Sequence, residues 1–370
     1  MKKGWQLMKK KKSMLIFCLS INLMAFPLFA TATERAGDCD RNCLKDIALN
    51  MLTSMKNHQS ESLPLARHYL LTENGTPVSP VMSTLWRTVT DFKTPGAGQY
   101  VIDPRTGQIF VIAEVSEGGS PSVFYGRLKV VGHHLTELEL YISRSKGESG
   151  QLFAPDELED LPKAWSYDVP AEQKASRAEL MNVAYGIFDK SYGNPSGSKS
   201  CELVEMGGRV IEDPDALKLI TQADAPDLSH RATRGGVSVP CTVSDRPEDK
   251  QVRVVVDEEQ GVSASFGIVP GVVFPSFITP GLESTFVPSD SSAGWKRLPN
   301  DIHDPNGTPR QSRHQHGNLP YVPVLKTMPA SMQTVEVVKF YGGQVEGVQR
   351  YMHMQPIGSG SIWNLDAAKQ

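Results

Sequence analysis

The feature that most constrains this sequence is an internal repeat. Three blocks recur in the same order, with matching apolar positions in and around each of them. The blocks and their copies are Asp103–Gly107 with Asp257–Gly261, Leu128–Tyr141 with Val338–Tyr351, and Leu44–Leu52 with Leu180–Phe188. Chance rarely preserves both order and pattern over three blocks. The sequence therefore predicts two copies of one folding unit, the second interrupted by a large insertion.

The periodicity of each copy changes from helical to extended along the chain. Apolar residues recur at helical spacing over 41–56, and a second helix is predicted over 176–192, where Ser176 and Glu179 form a capping-box pattern. Alternation with period two then predicts strands at about 99–103, 108–115, 122–131 and 134–142, and near 251–257, 262–269, 333–341 and 344–354. A helix packed on antiparallel strands, twice over, is an α+β fold.

The predicted organisation is a first domain over 33–145, a polar linker over 146–173 and a second domain over 174–370. Within the second domain, the insertion over 270–326 is rich in Pro, Gly and Ser. A long segment without periodicity is usually a lid, a binding loop or partly disordered. The insertion carries His314 and His316, but two ligands without a third at a recognisable spacing do not predict a metal site.

The N-terminal segment has the pattern of a secretory signal. Within 1–32, a basic run precedes an interrupted apolar stretch and the small residues Ala30-Thr-Ala32. This segment holds six Lys and no acidic residue, so its removal takes the formal charge from −3 to −9. A periplasmic or secreted protein without a membrane anchor is predicted. An acidic mature chain also argues against nucleic acid and anionic membranes as partners.

Four cysteines follow the signal, and in an exported chain an even number first indicates disulfides. Four cysteines allow three pairings. We favour Cys39–Cys43 and Cys201–Cys241, because each pair then lies within one copy. A zinc site is the alternative, but Cys-x₃-Cys without a second matching pair is a weak zinc pattern.

Several segments resemble the nuclear transport factor 2-like (NTF2-like) superfamily, in particular its SnoaL-like group. They are Cys39–Leu44, Leu63–Ala66, Thr72–Gly75, Leu85-Trp86, Asp103…Gly107 and Arg127–Glu139. More narrowly, the chain is similar to an uncharacterised exported family of fungi and bacteria. The resemblance is good over 39–143 and weaker in the second copy, where Cys201–Gly208 looks like a degraded Glu-Asn-Gly segment. It implies two cystatin-like cones, each with helices on a curved antiparallel sheet that encloses a pocket.

Candidate site residues lie on the last strands of each copy. Arg127 on one predicted strand can face Glu139 on the next, with Tyr141 on the same face. This arrangement is either a pocket pair or a solvated cross-strand ion pair. Glu139 is the candidate acid or base of the first copy. His353 is the candidate of the second, since an imidazole titrates near neutrality. Lys339 is expected to be solvated.

Three further residues have both a structural and a binding interpretation. Asp103 is either a turn residue that accepts backbone hydrogen bonds or a pocket carboxylate. Glu73 precedes an Asn-Gly turn and lies either in that turn or at the pocket mouth. Trp86 is either a core aromatic or part of a pocket wall.

Three functional hypotheses follow from these patterns. The first is a lyase or isomerase that uses general acid/base chemistry on a small organic substrate and needs no cofactor. The second is a non-catalytic module that binds a small apolar or glycan-like ligand. The third is a structural role, in which the fused copies replace a homodimer and the protein is a monomer. The superfamily includes enzymes and plain binders, so the fold alone does not choose among them.

Overall fold

The computed structural model describes residues 38–144, 161–193, 195–210, 251–275, 284–288 and 328–364, together with 155, 158 and 249. Two seven-stranded sheets account for about half of this part of the chain. The predicted signal, Cys241 and the tract with His314 and His316 lie outside the described residues.

The first sheet has the strand order β2-β1-β7-β6-β5-β3, and β4 also pairs with β5. Its strands are β1 Leu65–Glu73, β2 Thr76–Pro77, β3 Val89–Phe92, β4 Tyr100–Asp103, β5 Gln108–Glu117, β6 Ser120–Val131 and β7 His134–Ser143. The four strands predicted in this copy are confirmed. β1, β2 and β3 were not predicted, because Pro, polar and charged residues interrupt their alternation.

The second sheet has the order β10-β11-β13-β14-β8-β9, and β12 also pairs with β11. Its strands are β8 Gly197–Glu205, β9 Gly208–Val210, β10 Arg253–Asp257, β11 Val262–Pro275, β12 Ser284–Pro288, β13 Met328–Tyr341 and β14 Gln344–Gln355. β11 and β12 run into the predicted insertion, so part of that segment is sheet. The rest of the insertion lies outside the described residues.

The two sheets correspond in six of their seven strands; the exceptions are β3, which precedes β4 in the chain, and β12, which follows β11. In each, one parallel pair adjoins an antiparallel meander: β1 beside β7, and β8 beside β14. The β6–β7 ladder shifts register after Lys129, and the β13–β14 ladder shifts after Lys339. The repeated sequence blocks therefore occupy equivalent places in the two sheets.

Three α-helices are described: α1 Arg41–Lys56, α2 Leu85–Thr88 and α3 Arg177–Gly186. α1 has the predicted bounds and is capped by Asp40, whose side chain accepts from the backbone N–H of Cys43. α3 has the predicted capping box of Ser176 and Glu179. It ends at Gly186, earlier than predicted, because glycine is a poor helix former.

Two apolar cores lie on opposite faces of the first sheet. On one face, α1 packs against β5, β6 and β7 through side chains that include Met51, Leu128 and Leu138. The other face of this sheet packs against the second sheet, for example where Phe110 meets the ring of Phe266 edge to face. The two sheets therefore face each other across a shared core.

The described end of the predicted linker is not a polar connection. Trp165 in it is only 2% exposed and packs into the core that the two sheets share. A Cβ atom at Gly98 or Gly347 would come within about 3 Å of the Trp165 side chain, so both positions need glycine. The linker thus helps to join the two sheets.

Lys339 was expected to be solvated, and this prediction was wrong. Its side chain donates to the carbonyl oxygens of Tyr167 and Gln260, at 3.2 and 2.7 Å. Burial lowers the pKa of Lys339 to about 8, against the opposing charges of Asp257 and Asp168. The linker covers this end of the strand, a contact that strand periodicity does not show.

None of the described helices combines the length and apolar character needed to cross a lipid bilayer.

Candidate functional site between the sheets

The predicted residues Arg127, Glu139 and Tyr141 lie together, but not in a cone between helix and sheet. The space beside α1 is packed with apolar side chains. Side chains alternate along a strand, so Leu128 and Leu138 point to α1 while the polar residues face the second sheet. The expected pocket beneath α1 is therefore wrong for the first copy, and the site lies between the sheets.

Glu139 is the centre of this site. It is 0% exposed, and each of its carboxylate oxygens accepts two hydrogen bonds. Oε2 accepts from the Nε atoms of Arg127 and Arg253, at 3.0 and 3.1 Å. Oε1 accepts from Nη2 of Arg253 at 2.7 Å and from the hydroxyl of Tyr141 at 3.1 Å. Arg127 faces Glu139 in the strand register as predicted, but the pair is buried, so the solvated interpretation was wrong.

The charges of this cluster hold Glu139 ionised. Burial raises the pKa of Glu139, but Arg253 and Arg127 outweigh burial, and the pKa lies below its ordinary value. Burial also raises the pKa of the Tyr141 hydroxyl, and the neighbouring Glu139 charge raises it further. Tyr141 therefore stays protonated and serves as a hydrogen-bond donor to Glu139.

A C-terminal segment covers the charged cluster. The Ser361 hydroxyl accepts from Nη1 of Arg253 at 2.6 Å. The indole ring of Trp363 lies 5.1 Å from the guanidinium carbon of Arg127, a cation–π distance. Both arginines that bind Glu139 therefore also hold this segment, which we call the C-terminal strap (residues 356–363).

A small cavity of about 100 Å³ lies beneath the strap. Its walls come from both sheets, from the turn after β1 and from the strap. The lining residues are Gly75, Glu139, Tyr141, Ile268, Gln333, Gln355, Ser359, Gly360, Ser361, Ile362 and Trp363. Gln333 is 0% exposed, and its Oε1 atom has no hydrogen-bond partner, while its Nε2 donates to the carbonyl of Thr334 at 3.3 Å. A buried, unpaired acceptor in a cavity wall is suited to bind a donor.

His353 lies beside the cavity but does not line it. It pairs with Gln333 across the β13–β14 ladder, and its ring centre is 6.0 Å from that of Tyr141. Burial lowers the pKa of His353 to about 4, with a contribution from the charge of Arg144. At neutral pH its imidazole is uncharged, and its Nδ1 atom is buried without a partner.

The other predicted site residues have structural positions. Trp86 packs in the core beside α1, and its Nε1 donates to the hydroxyl of Ser54 at 2.9 Å. Glu73 accepts from the backbone N–H of Thr84 at 2.8 Å at the start of α2. Neither residue lines the cavity between the sheets.

Asp103 and Asp257 form ion pairs that join the two halves of the described chain. Asp103 accepts from Arg177 at 2.6 and 3.0 Å, and Asp257 accepts from Arg41 at 2.9 Å through both oxygens. Each arginine is the first residue of its helix, and it binds the Asp that belongs to the other sheet. The turn role holds for Asp257, which also accepts from the backbone N–H of Gln260. The reciprocal pairing was not predicted.

The disulfide Cys39–Cys43 is present as predicted. Cys201 is buried and disulfide-bonded, and its predicted partner Cys241 lies outside the described residues. Within the described part of the chain, Cys39, Cys43 and His133 are the group close enough together to hold a metal ion. The two sulfurs of that group are joined to each other, so the disulfide takes up both thiolate ligands.

Sequence reasoning missed four residues of the site: Arg253, Gln333, Ser361 and Trp363. Arg253 gave a signal, because it lies between Val252 and the apolar run Val254–Val256. A charged residue among buried apolar positions usually has a buried partner. The strap residues gave none, since Ser361 and Trp363 belong to a short segment after the last strand.

No family model and no curated protein matches this sequence. Among solved structures, an NTF2-like protein of unknown function from Cytophaga hutchinsonii aligns with 27% of this chain and 89% of its own, at 11% identity and a TM-score of 0.22. A de novo designed protein with a curved β-sheet aligns with 28% of this chain and 88% of its own, at 14% identity and a TM-score of 0.24. At such scores neither likeness carries an argument, so the α+β description rests on the two sheets themselves.

Proposed function

We propose that this protein is a non-catalytic module that binds a small, neutral, hydrogen-bond-donating molecule between its two sheets. The observation that carries the proposal is the unpaired Oε1 atom of Gln333 in the cavity wall. Leaving a buried acceptor without a partner costs about 1–3 kcal/mol. A ligand that donates to Gln333 recovers this free energy.

The state of Glu139 argues against the acid/base hypothesis. A general base works best with a pKa near the working pH and with a free lone pair that faces the substrate. The pKa of Glu139 is lowered, and its carboxylate already accepts four hydrogen bonds. His353 has a pKa of about 4 and is a weak base at that value. Binding without chemistry therefore fits both candidates better.

The charge and size of the site define the ligand class. The charges of Arg127 and Arg253 surround that of Glu139, and Glu137 also binds Arg127, so a charged ligand finds no unmatched partner. The cavity of about 100 Å³ is smaller than the 150 Å³ or so that holds benzene. A short amide or alcohol is therefore favoured over the glycan-like ligand considered from the sequence.

The origin of the two sheets, the cellular location and the oligomeric state are part of the same proposal. We infer two NTF2-like units that arose by duplication and pack through their sheets, as the equivalent strand orders favour. Disulfides fit an oxidising compartment, which supports a periplasmic or secreted location. A monomer is expected, because the sheet faces that a single unit would leave open cover each other.

Native mass spectrometry of the protein, purified gently from its own source, tests the proposal. A bound molecule smaller than a monosaccharide is expected, and it should be lost in Gln333→Leu. Gln349→Leu is the matched control, since Gln349 is equally buried but does not line the cavity. The released molecule is then incubated with fresh protein. Recovery of the unchanged molecule supports a binding protein. Conversion of the molecule to a new compound would overturn the non-catalytic proposal in favour of an enzyme.

A further inference from the structure

The two long helices begin in different ways. In α3, the third residue is Glu179, which forms the capping box with Ser176. In α1, the third residue is Cys43, which is bonded to Cys39 just before the helix. Both helices have a side-chain cap, Asp40 in α1 and Ser176 in α3, but α1 has a disulfide in addition. Because the cap already satisfies the helix start, the disulfide is not needed for capping.

His133 is the second unusual feature of this end of the molecule. It follows Gly132 in the β6–β7 turn, where the two residues have φ angles of 53° and 65°. The equivalent β13–β14 turn uses Gly342 and Gly343, with φ angles of 58° and 77°. Glycine adopts this conformation freely, while a residue with a side chain is strained there. The β6–β7 turn therefore holds an imidazole at a conformational cost, and the β13–β14 turn, with glycine at the equivalent position, does not have this cost.

The imidazole of His133 touches the disulfide. Its Nδ1 atom lies 3.2 Å from Sγ of Cys43. Cys43 has no S–H proton in the disulfide, so Nδ1–H is the group that can donate. Cys43 is partly exposed, while Cys39 is only 1% exposed. One sulfur is therefore accessible and has a histidine and a helix N-terminus beside it, and the other is buried.

We propose that Cys39–Cys43 is a redox-active disulfide that exchanges with dithiols, with His133 as a catalytic residue. A thiolate of the dithiol attacks Sγ of Cys43, the S–S bond breaks, and its electron pair leaves on Cys39. The second thiol of the substrate then attacks its own sulfur in the mixed disulfide, and Cys43 leaves as a thiolate. The dithiol loses two electrons and two protons and becomes a disulfide, and the protein gains both as two thiols.

His133 and the helix N-terminus assist the step in which Cys43 leaves. A protonated imidazole and the N–H groups of the first helical turn both stabilise a thiolate. A better-stabilised thiolate is a better leaving group in exchange. In the reverse direction, the same groups favour the Cys43 thiolate that attacks an external disulfide. The second copy has Ala175, Glu179 and Gly343 at these three places, so it has no equivalent site.

Peptide-resolved alkylation tests the proposal on the folded protein. After exposure to dithiothreitol without denaturant, Cys39 and Cys43 should be labelled, while Cys201, which is buried and disulfide-bonded, serves as the internal control. The reduced protein is then mixed with oxidised glutathione. His133→Gly, which restores the residue of the equivalent turn, should slow the reaction of Cys43 about tenfold at neutral pH.

Two variants make the result decisive. His133→Asn tolerates the left-handed turn but cannot form an imidazolium, and it should be as slow as His133→Gly. His68→Ala removes an exposed histidine elsewhere and should react like the unmodified protein. Equal rates in all four proteins would overturn the role of His133. Labelling of Cys39 and Cys43 only at denaturant concentrations that unfold the protein would overturn the exchange site itself.

Discussion

The two sheets bury the same hydrogen-bonding arrangement with different charge. In the first sheet, the hydroxyl of Tyr141 donates to Glu139, and in the second the hydroxyl of Tyr351 donates to Gln349 at 2.7 Å. Gln349 in turn donates to the carbonyl of Gly98 at 2.9 Å and needs no further partner. Glu139 instead requires two arginines. One fold position can therefore hold either a neutral amide or a buried ion cluster.

The cavity lies beside the charged residue Glu139 and not beside its neutral counterpart Gln349. Burying ions is expensive, and the attraction between them repays the cost only when every partner is in place. Arg253, from the second sheet, and the strap residue Ser361 complete the cluster around Glu139. The cavity lies on this charged side, beneath the strap, and not beside Gln349. We infer that the neutral position of Gln349 serves packing and that the charged position of Glu139 serves the ligand site.

The largest effect is expected from Glu139→Gln, which gives the first sheet the residue of the second. Two buried arginines then lose their shared counter-charge, and the free energy of unfolding should fall by about 3–5 kcal/mol. Gln349→Leu removes neutral hydrogen bonds only and should cost about 1–3 kcal/mol. Urea unfolding measures both variants. Equal losses would contradict the distinction between the two copies.

The reciprocal ion pairs give the next effect. Asp257 is 0% exposed and accepts from Arg41 and from the backbone N–H groups of Ile102 and Gln260. Asp257→Ala leaves these donors unpaired and should destabilise the protein by about 3 kcal/mol. Asp103→Ala removes only the contacts with Arg177 and should cost about half as much. Thermal unfolding of the two variants measures both losses, and a larger loss in Asp103→Ala would show that the additional backbone contacts of Asp257 do not contribute.

Local features of each half of the chain could be predicted from the sequence better than the contacts between the two sheets. The bounds of α1, the capping box of α3 and the facing of Arg127 with Glu139 all follow from local periodicity. The partner of Glu139 on the other sheet does not, because period two shows that two faces differ but not which neighbour each one meets. The resemblance to the NTF2-like superfamily predicted a pocket on the face of the sheet that is turned toward the helix. Among the described residues, the apolar packing beside α1 leaves no pocket on that face.

The protonation of His353 in acid should lower the free energy of unfolding by less than Asp257→Ala does. Its counterpart in the first sheet is Ser143, which does not titrate. The pKa of His353 is lowered to about 4 in the fold, against about 6.5 in the unfolded chain. The unfolded state therefore binds a proton first as the pH falls. Stability that is complete above pH 6.5 or so should decline by on the order of 2 kcal/mol by pH 4 or so.

His353→Gln is the variant that isolates this contribution. It should flatten the decline in stability between these two pH values, as measured by urea unfolding at a series of pH values. His68→Ala, which removes an exposed histidine, should leave the decline unchanged. A decline of the same size in His353→Gln would mean that other groups cause it.

The smallest effect concerns the two helix starts. Ser176→Ala removes the cap of α3 and should lower the free energy of unfolding by about 1 kcal/mol. Asp40→Ala removes the cap of α1 but leaves the disulfide Cys39–Cys43 to fix the same turn, so its loss should be smaller. Reducing the disulfide should make the two losses equal. A full loss in oxidised Asp40→Ala would show that the disulfide does not support the helix start.

We propose that Gln333 binds a small neutral donor in the cavity between the sheets. The most direct test follows the side-chain amide resonances of nitrogen-15-labelled protein during titration with short amides and alcohols. We predict that the resonance of Gln333 shifts and saturates with at least one of these compounds, while that of Gln349 does not move. A Gln333 resonance that does not move with any compound, or shifts confined to residues outside the cavity, would contradict binding at Gln333.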